Sequence, residues 1–442
     1  MSRTKEFLIL LAILTGTILV PVNSTMIAVG LPTIASELSV SIPDITWVVT
    51  IYLIVMAVAQ PIAGKLGDIY GNKKVLLIGF SLLIIFSVAC AFSFNLVSLI
   101  IFRSLQALGG ALVTPNATAI IRFIIPKEKL SNVFGLFGMS MGLGASVGPL
   151  LGSGLISLFN WEAIFWVNIP FLIIAIVLSW FMIPNQSKTK TNSLDIFGSI
   201  YLGIVLTFIT LLFTHNEYLN VWTILTLLLF VGLFIYQERT ANAPLIEFSM
   251  FKNRAFSSSN LSILINNFVM YSTILFIPIL LKSYHFTINK IGSLLFYFSL
   301  AMSISALVGG KLANKFGKEK VIILSFLLSS FTVLFYFGFT PKVSYLYLMS
   351  TLLLGGFSAG IGAAAMQSTN LESVSKEKSG VAAGIYSTFR YIGGMMASAA
   401  VSIFVGKAFL YVLLLIFSII GLILSIVLTL GQAKSVKKYL VG

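Results

Sequence analysis

Long apolar runs dominate this sequence, and each is long enough to cross a membrane. A transmembrane helix needs about 20 apolar residues to span about 30 Å of hydrocarbon, and the sequence contains fourteen such runs. Only 9% of the 442 residues are charged, against roughly 25% in a typical soluble domain. We therefore predict an all-α integral membrane protein. The predicted spans lie near residues 7–31, 45–64, 75–94, 96–120, 132–158, 164–183, 195–214, 219–237, 257–281, 290–309, 320–339, 344–368, 380–405 and 408–430.

The net charge of +15 is distributed unevenly along the chain. Most of the 28 lysines and arginines fall in segments that we assign to the cytoplasm, as the positive-inside rule describes. This distribution predicts a multi-pass protein of the cell (cytoplasmic) membrane with both termini cytoplasmic. The sequence has no basic stripe with interleaved aromatic residues, so nucleic acid is not an expected partner. Cys90 is the single cysteine, which excludes a disulfide within the chain.

An internal repeat divides the sequence. The segment Gly64 to Gly71 recurs as Gly310 to Gly317, at an offset of 246 residues. Eight spans fit into that offset, and an even number of spans makes the two copies parallel across the membrane. We predict an N-terminal six-helix bundle over 1–183, a linker with two inserted helices over 184–256, and a C-terminal six-helix bundle over 257–442.

Two parallel bundles are the architecture of a transporter that works by alternating access. A glycine stripe in the fifth span supports this interpretation. Gly144, Gly148 and Gly152 are four residues apart, so on a helix they form a groove without side chains that another helix can approach closely. Pro149 removes one backbone donor beside that groove. The stripe is either a tight packing surface or the place where the bundles slide against each other.

Several further motifs accompany the repeat and the stripe. They are Gly64 to Lys74, Leu99 to Gly110, Gly144 to Gly152, Trp161 to Pro170, Asp195 to Gly198, and Pro244 to Arg254. Together they resemble the motifs of the fourteen-helix drug–proton antiporter branch of the major facilitator superfamily. The resemblance implies two six-helix bundles related by a pseudo-twofold axis, with two inserted helices between them. It also implies multidrug efflux, in which lipophilic and often cationic compounds leave in exchange for protons or sodium.

Arg103 stands in the middle of the fourth span. A cationic side chain there costs about 2.5–3.5 kcal/mol on insertion scales, so it should face a polar interior. The resemblance implies a cavity arginine that responds to protonation or to substrate; the alternative is a structural arginine bonded to backbone carbonyls. Arg390 in the thirteenth span has the same two interpretations, and its depth allows it to extend towards the cytoplasm.

The loop after the second span resembles the gating loop of the family. Asp68 is then expected to bond the positive N-terminal end of a helix in the other bundle and so to latch one state. The alternative is a solvated carboxylate beside Lys73 and Lys74. The residues assigned to the gating loop and its second copy are Gly64, Asp68, Gly71, Lys73, Gly310 and Gly317.

The first span departs from the family pattern, because Asn23 stands where the family usually has an aspartate. Asparagine does not exchange a proton near neutral pH, and all 13 aspartates and glutamates fall at predicted helix ends or in loops. Glu162, at the outer end of the N-terminal bundle, is our leading hypothesis for a replacement coupling residue. Glu37 and Asp44 are two further acidic candidates on the same side. Each of the three is otherwise a plain interfacial acid.

Polar side chains on the inner helices are candidates to line a substrate cavity. We predict that this set comprises Tyr52, Gln60, Gln106, Asn116, Asn266 and Asn267.

Other function classes find little support in the sequence. His215 and His285 are the only histidines and lack metal-ligand spacing, and no glycine-rich loop for nucleotide phosphates is present. We therefore expect no enzyme activity, no cofactor and no metal site, and we expect a monomer that handles small lipophilic substrates. The alternative function is a transporter of the same fold for a lipid or an anionic solute, with Arg103 and Arg390 as counter-charges.

Overall fold

The chain folds into helices throughout its regular structure. The computed structural model describes residues 3–184, 195–214, 220–241, 244, 246, 248–404 and 406–440. Seventeen α-helices and two short 3-10 helices account for the regular structure of these residues, which confirms the predicted all-α class. Most of the predicted linker after Pro184 lies outside the described residues. The first ten helices are α1 (Arg3–Thr17), α2 (Leu19–Glu37), α3 (Ile42–Tyr70), α4 (Asn72–Ala91), α5 (Leu96–Ile124), α6 (Lys127–Leu158), α7 (Ala163–Trp166), α8 (Asn168–Met182), α9 (Ile196–Thr214) and α10 (Val221–Thr240).

Seven more helices follow the inserted pair α9 and α10. The first of them begins beside Asn253, whose side chain accepts a hydrogen bond from the Ala255 N–H and so caps the helix. These helices are α11 (Arg254–Ser283), α12 (Ile288–Phe316), α13 (Lys318–Tyr336), α14 (Tyr345–Ile361), α15 (Ala363–Glu372), α16 (Ser379–Phe404) and α17 (Ala408–Leu440).

The described residues contain twelve candidate membrane spans, two fewer than the fourteen that the sequence predicts. The two predicted spans near 195–214 and 380–405 are not among the twelve. In α9 an apolar helical stretch is present over Ile196–Ile209 among the described residues, and the helix itself runs on to Thr214. The helix α16 contains Arg390 together with several glycines and serines, which lower its apolar character.

Packing divides the chain into two compact units. Unit 1 comprises residues 1–125, 143–247 and 375–388, and unit 2 comprises 126–142, 248–374 and 389–442. The inserted helices therefore pack with unit 1. The division also cuts two helices, because the first half of α6 belongs to unit 2 and the first turns of α16 belong to unit 1. Sequence repeats alone did not predict this exchange of segments.

The two copies of the repeat make the same turn. Gly71 ends α3 with φ +95°, and Gly317 ends α12 with φ +97°. Side chains rarely adopt this left-handed region, so glycine is the residue that lets each helix stop and the next begin at once. The equal geometry at an offset of 246 residues is the structural counterpart of the sequence repeat.

Candidate functional site

Arg103 occupies the interior of unit 1 and is fully buried. It lies on α5, which begins with a capping box formed by Asn95 and Ser98. The guanidinium donates from Nη1 to Asn23 Oδ1 at 3.0 Å and from Nη2 to the Asn23 carbonyl oxygen at 3.0 Å. It also donates to Gln106 Oε1 at 2.5 Å. The departure from the family pattern at Asn23 is thus in direct contact with the membrane arginine.

Among the described residues, the partners of the Arg103 guanidinium are all neutral. Its central carbon lies 4.3 Å from the centre of the Tyr52 ring, a cation–π distance. Gln106, which accepts from the guanidinium, donates in turn to Ser87 at 2.7 Å. The Nε hydrogen of Arg103 has no hydrogen-bond partner in the described part of the chain. A buried cation held only by dipoles favours an anion nearby and disfavours a second cation.

Two other predicted cavity residues lie within unit 1 and are fully buried. Asn116 donates to the carbonyl oxygens of Ala63 at 3.1 Å and Leu112 at 2.8 Å, so its amide joins α5 to α3. Gln60 on α3 has no hydrogen-bond partner for either amide atom among the described residues. An unpaired buried amide costs about 1–3 kcal/mol, so Gln60 is the better candidate to meet a ligand.

Asp68 accepts two backbone hydrogen bonds at the beginning of α16. Its Oδ1 lies 2.9 Å from the Gly380 nitrogen and its Oδ2 lies 2.9 Å from the Val381 nitrogen. These N–H groups are the unpaired donors of a helix N-terminus, where the helix dipole also favours a carboxylate. Gly64 makes the approach possible, because a side chain there would collide with the Gly380 carbonyl. We call this contact, formed by Asp68, Gly380 and Val381, the carboxylate clasp.

Lys65, beside the clasp, connects it to the inserted helices. Its ammonium group donates to the Pro244 carbonyl oxygen at 3.1 Å, just after α10. Lys73, also assigned to the gating loop, instead donates to the Trp180 carbonyl oxygen at 2.7 Å. Lys65 therefore bonds the segment that follows the inserted pair.

The second copy of the gating loop is held differently. The position of Asp68 is taken by Asn314, which is exposed. The nearby carboxylate is Glu372 at the end of α15, which pairs with Lys318 at 2.5 Å and Lys127 at 3.7 Å. Gly310 packs directly against the main chain of α6. Unit 2 thus uses ion pairs where unit 1 uses a helix terminus.

The glycines of α6 contact different partners along the helix. Built side chains at Gly144 and Gly152 would lie 2.8 Å from the Ile18 carbonyl oxygen and 3.0 Å from the Met26 carbonyl oxygen, and Gly148 lies equally close to α2. The predicted stripe therefore packs against the first span within unit 1. Earlier in the helix, Gly135 approaches the Ala306 carbonyl of α12 within unit 2. The helix continues through Pro149.

The three acidic candidates differ in burial. Glu37 and Asp44 are exposed, and Asp44 is bonded to the Ser41 hydroxyl at the start of α3. Glu162 is partly buried directly before α7, and its Oε2 is a buried atom without a hydrogen-bond partner among the described residues. Of the three acids, Glu162 is the one that is partly buried.

The remaining candidates lie in unit 2. Asn266 donates to the Ala359 carbonyl oxygen at 3.1 Å, and Asn267 donates to the Ile263 carbonyl oxygen of its own helix at 2.9 Å. Arg390 is partly buried and stacks near Tyr391, 5.4 Å from the ring centre. In the described part of the chain, no group of three His, Cys, Asp or Glu side chains is placed to hold a metal ion.

Two buried acids were missed as candidates. Asp195 caps α9 by accepting from the Gly198 N–H at 2.8 Å and from Gln237 at 3.0 Å. Glu238 accepts from the Ile246 N–H at 2.9 Å. The motif Asp195 to Gly198 has the spacing of a helix cap. The burial of Asp195, however, depends on the packing of α10 against α9.

The chain is similar to known membrane transporters over nearly its full length. The family model described as Major Facilitator Superfamily matches residues 13–256 and 260–439. A Bacillus subtilis (strain 168) protein named "Uncharacterized MFS-type transporter YvkA" is 44% identical and covers 99% of each chain. The "Multidrug transporter protein MdtP" of the same organism is 28% identical over 89% of this chain and 74% of that relative. The crystal structure of the human organic anion transporter MFSD10 (TETRAN) has a TM-score of 0.67 at 16% identity, covers 96% of this chain and 97% of that chain, and indicates the fold alone.

Proposed function

Since the chain belongs to the major facilitator superfamily, we propose that it exports lipophilic, often cationic compounds by alternating access, coupled to the influx of protons or sodium. That it is a transporter and not an enzyme follows from the family itself. The observation that carries the proposal is the carboxylate clasp, a two-bond contact between Asp68 and the N-terminus of α16. Such a contact is reversible, because each charge-assisted bond contributes about 1.5–3 kcal/mol. The multidrug transporter MdtP, 28% identical, supports the choice of cargo class.

We propose that the clasp holds the cytoplasmic end closed in one state and opens in the other. Gly64 and Gly310, with the turns at Gly71 and Gly317, set the close backbone approach at the two copies of the loop. Lys65, bonded to the segment after α10, makes the inserted helices part of the same mechanism.

We also propose fourteen crossings with both termini in the cytoplasm of a monomeric protein in the cell membrane. The two additional crossings are α9 and α16. With 19 and 26 residues, at 1.5 Å per residue, they reach about 28 and about 39 Å, which matches the hydrocarbon core.

A second candidate function is favoured by the neutral surroundings of Arg103. A fully buried guanidinium without an acidic partner attracts an anionic cargo rather than a cationic one. In this alternative, the cargo is a lipid or an anionic solute, and Arg103 and Arg390 act as counter-charges.

The two functions are separated by transport into inside-out membrane vesicles that contain the protein. Ethidium, a neutral lipophilic dye and a lipophilic anion of similar size are offered one at a time. We expect uptake of ethidium and of the neutral dye, with Arg103→Lys retaining less of both because lysine cannot keep the bidentate contact to Asn23. Uptake of the anion alone would reject the multidrug proposal in favour of the second candidate.

Glu162→Gln tests the coupling residue. The desolvated Oε2 of Glu162 is the site where we expect a proton to be taken up, so the amide variant should lose pH-driven transport and keep cargo binding. Glu37→Gln is the matched control, since Glu37 is exposed and should transport as the wild type does. If Glu162→Gln transported at the wild-type rate under a pH gradient, Glu162 would not be the coupling residue.

A further inference from the structure

A small polar cavity lies inside unit 2, among α11, α12, α13 and α14. Its volume is about 10 Å³, which is about the room that one water-sized particle needs. The wall combines aromatic and aliphatic carbon with polar groups from three helices. These polar groups belong to Asn266, Thr273, Ser329, Thr332, Tyr336 and Ser358.

The hydroxyl hydrogens around this cavity are already used in hydrogen bonds. Thr273, Thr332 and Ser358 each donate to a main-chain carbonyl oxygen about one turn earlier on their own helix, at 2.9, 2.8 and 2.8 Å. Because Thr273 has no second hydrogen, the 2.9 Å bond between it and Tyr336 has Tyr336 as its donor. These four oxygens therefore offer lone pairs and no hydrogens to the cavity.

Of the other two polar groups, Ser329 follows the same pattern, and the Asn266 amide keeps one of its two Nδ2 hydrogens beside its Oδ1 acceptor. Ser329 Oγ lies 3.1 Å from Ser418 Oγ, whose own hydrogen is donated to a carbonyl of its helix at 2.9 Å, so Ser329 is the donor. Asn266 donates from Nδ2 to the Ala359 carbonyl at 3.1 Å. One water molecule can donate hydrogen bonds to only two of these acceptors, whereas a cation can be coordinated by all of them at once. The lining thus suits a cation.

The helix α14 is interrupted at Gly362 beside the cavity, although Gly362 keeps helical backbone angles (φ −83°, ψ −20°). The helix α14 ends at Ile361, and α15 begins at Ala363. Side chains now bond carbonyl oxygens in the last turn of α14: Ser325 donates to Ser358 at 2.9 Å, and Asn266 donates to Ala359. Carbonyl oxygens at such an interruption take partners outside the helix ladder, and transporters use interrupted helices to coordinate coupling ions.

The repeat relates this cavity to the Arg103 site of unit 1. At the offset of 246 residues, three lining residues correspond to neighbours of Arg103, namely Val269 to Asn23, Phe298 to Tyr52, and Tyr336 to Cys90. The position of Arg103 itself is taken by Met349, which is not among the lining residues. Unit 1 has a fixed cationic group at this place in its bundle, and unit 2 has a cavity lined with acceptors.

We propose that this cavity binds one dehydrated sodium ion through neutral oxygens, chiefly those of Thr332, Tyr336 and Ser358. The lining contains no carboxylate, and divalent cations such as Ca²⁺ and Mg²⁺ depend on carboxylate ligands. A monovalent cation is therefore the class of ligand that fits. The proposal rests on the proposed function in one respect, since it names sodium as a coupling ion of that transporter.

Sodium binding is measured on the purified full-length protein in detergent, without any cargo. Thermal unfolding is followed against NaCl, with KCl and choline chloride at the same ionic strength. We expect a saturable rise of the unfolding temperature with sodium only. Tyr336→Phe and Thr332→Val each remove one oxygen with little change of shape and should weaken sodium binding by about tenfold or more. Thr351→Val is the matched control, because Thr351 is buried on α14 but does not line the cavity.

The following comparison separates effects on sodium binding from effects on folding and on transport. A variant is compared only if it unfolds in choline chloride at the temperature of the wild type, and Tyr336→Phe and Thr332→Val serve as independent tests. Absence of a sodium effect in the wild type, or equal sodium affinity in Thr332→Val and Thr351→Val, would overturn the proposal. Export of lipophilic compounds under a pH gradient without sodium would leave the proposed function intact in that case.

Discussion

Asp68→Asn is expected to slow transport at least tenfold. The carboxylate accepts one backbone hydrogen bond with each oxygen, from Gly380 and Val381 at 2.9 Å. An amide offers only one oxygen, and its NH₂ group then opposes an N–H group of α16. Losing one charge-assisted bond costs about 1.5–3 kcal/mol. A bias of that size changes the population of the clasped state by roughly tenfold to a hundredfold.

The measurement is ethidium efflux from proteoliposomes containing equal amounts of wild type and variant. Asp44→Asn is the matched control, since Asp44 lies at the opposite end of the same helix, in the first turn of α3, and is exposed. We expect wild-type efflux in Asp44→Asn and a large loss in Asp68→Asn. Equal efflux in the two variants would show that the clasp is a structural contact without a role in the cycle.

Asn23→Asp is expected to stabilise the protein. The Asn23 side chain accepts from Arg103 through Oδ1 at 3.0 Å, so an aspartate keeps this bond and adds the negative charge that the buried guanidinium lacks. Charge-assisted bonds are about twice as strong as neutral ones, and we expect a gain of about 1 kcal/mol or more. The same substitution would also supply the acidic group that the family usually has in the first span.

The control for this prediction is the same substitution at Asn116. There the side chain donates from Nδ2 to the carbonyl oxygens of Ala63 and Leu112. A carboxylate would face two acceptors in a fully buried position and should cost at least about 2 kcal/mol. Thermal unfolding in detergent should therefore shift upwards for Asn23→Asp and downwards for Asn116→Asp. A downward shift in both would mean that Arg103 is already satisfied by its neutral partners.

The helical class and the repeated turn were predictable because they depend on local sequence. Long apolar runs predict membrane helices, and the two loop copies place Gly71 and Gly317 in the same left-handed conformation. The contacts of Asp68 depend on residues more than 300 positions away, so the sequence could suggest a helix terminus only through the family resemblance.

Other features of the site had no readable signal in the sequence. Asp195 and Glu238 look like ordinary acids near helix ends, and their burial results from the packing of α10 on α9. The hydroxyl groups of Thr332 and Tyr336 lie on separate turns of an apolar helix, and only the packing of α11, α13 and α14 brings acceptors together. Twelve of the fourteen predicted spans are candidate spans among the described residues, and α16 is not one of them because Arg390 and nearby small residues lower its mean hydropathy.

Arg103 and the acceptor-lined cavity give the two units opposite electrostatic character at equivalent positions. In unit 1 a guanidinium is held by Asn23 and Gln106, whereas the cavity of unit 2 is lined by apolar groups and by polar groups that are mostly acceptors. We therefore propose that coupling in this chain uses groups other than the aspartate that the family usually has in the first span. We propose two ways in which transport is coupled to an ion gradient. One is protonation of the partly buried Glu162, and the other is sodium binding in unit 2.

Gradient-driven export is tested most directly by efflux of ethidium from proteoliposomes under one imposed gradient at a time. A pH unit contributes about 1.4 kcal/mol per proton, and a potential of 100 mV contributes about 2.3 kcal/mol per charge. Either gradient suffices for a tenfold accumulation of cargo. We expect a pH or sodium gradient to drive ethidium movement, and we expect the movement to stop when the gradient is dissipated. Ethidium movement that is the same with and without every gradient would contradict it.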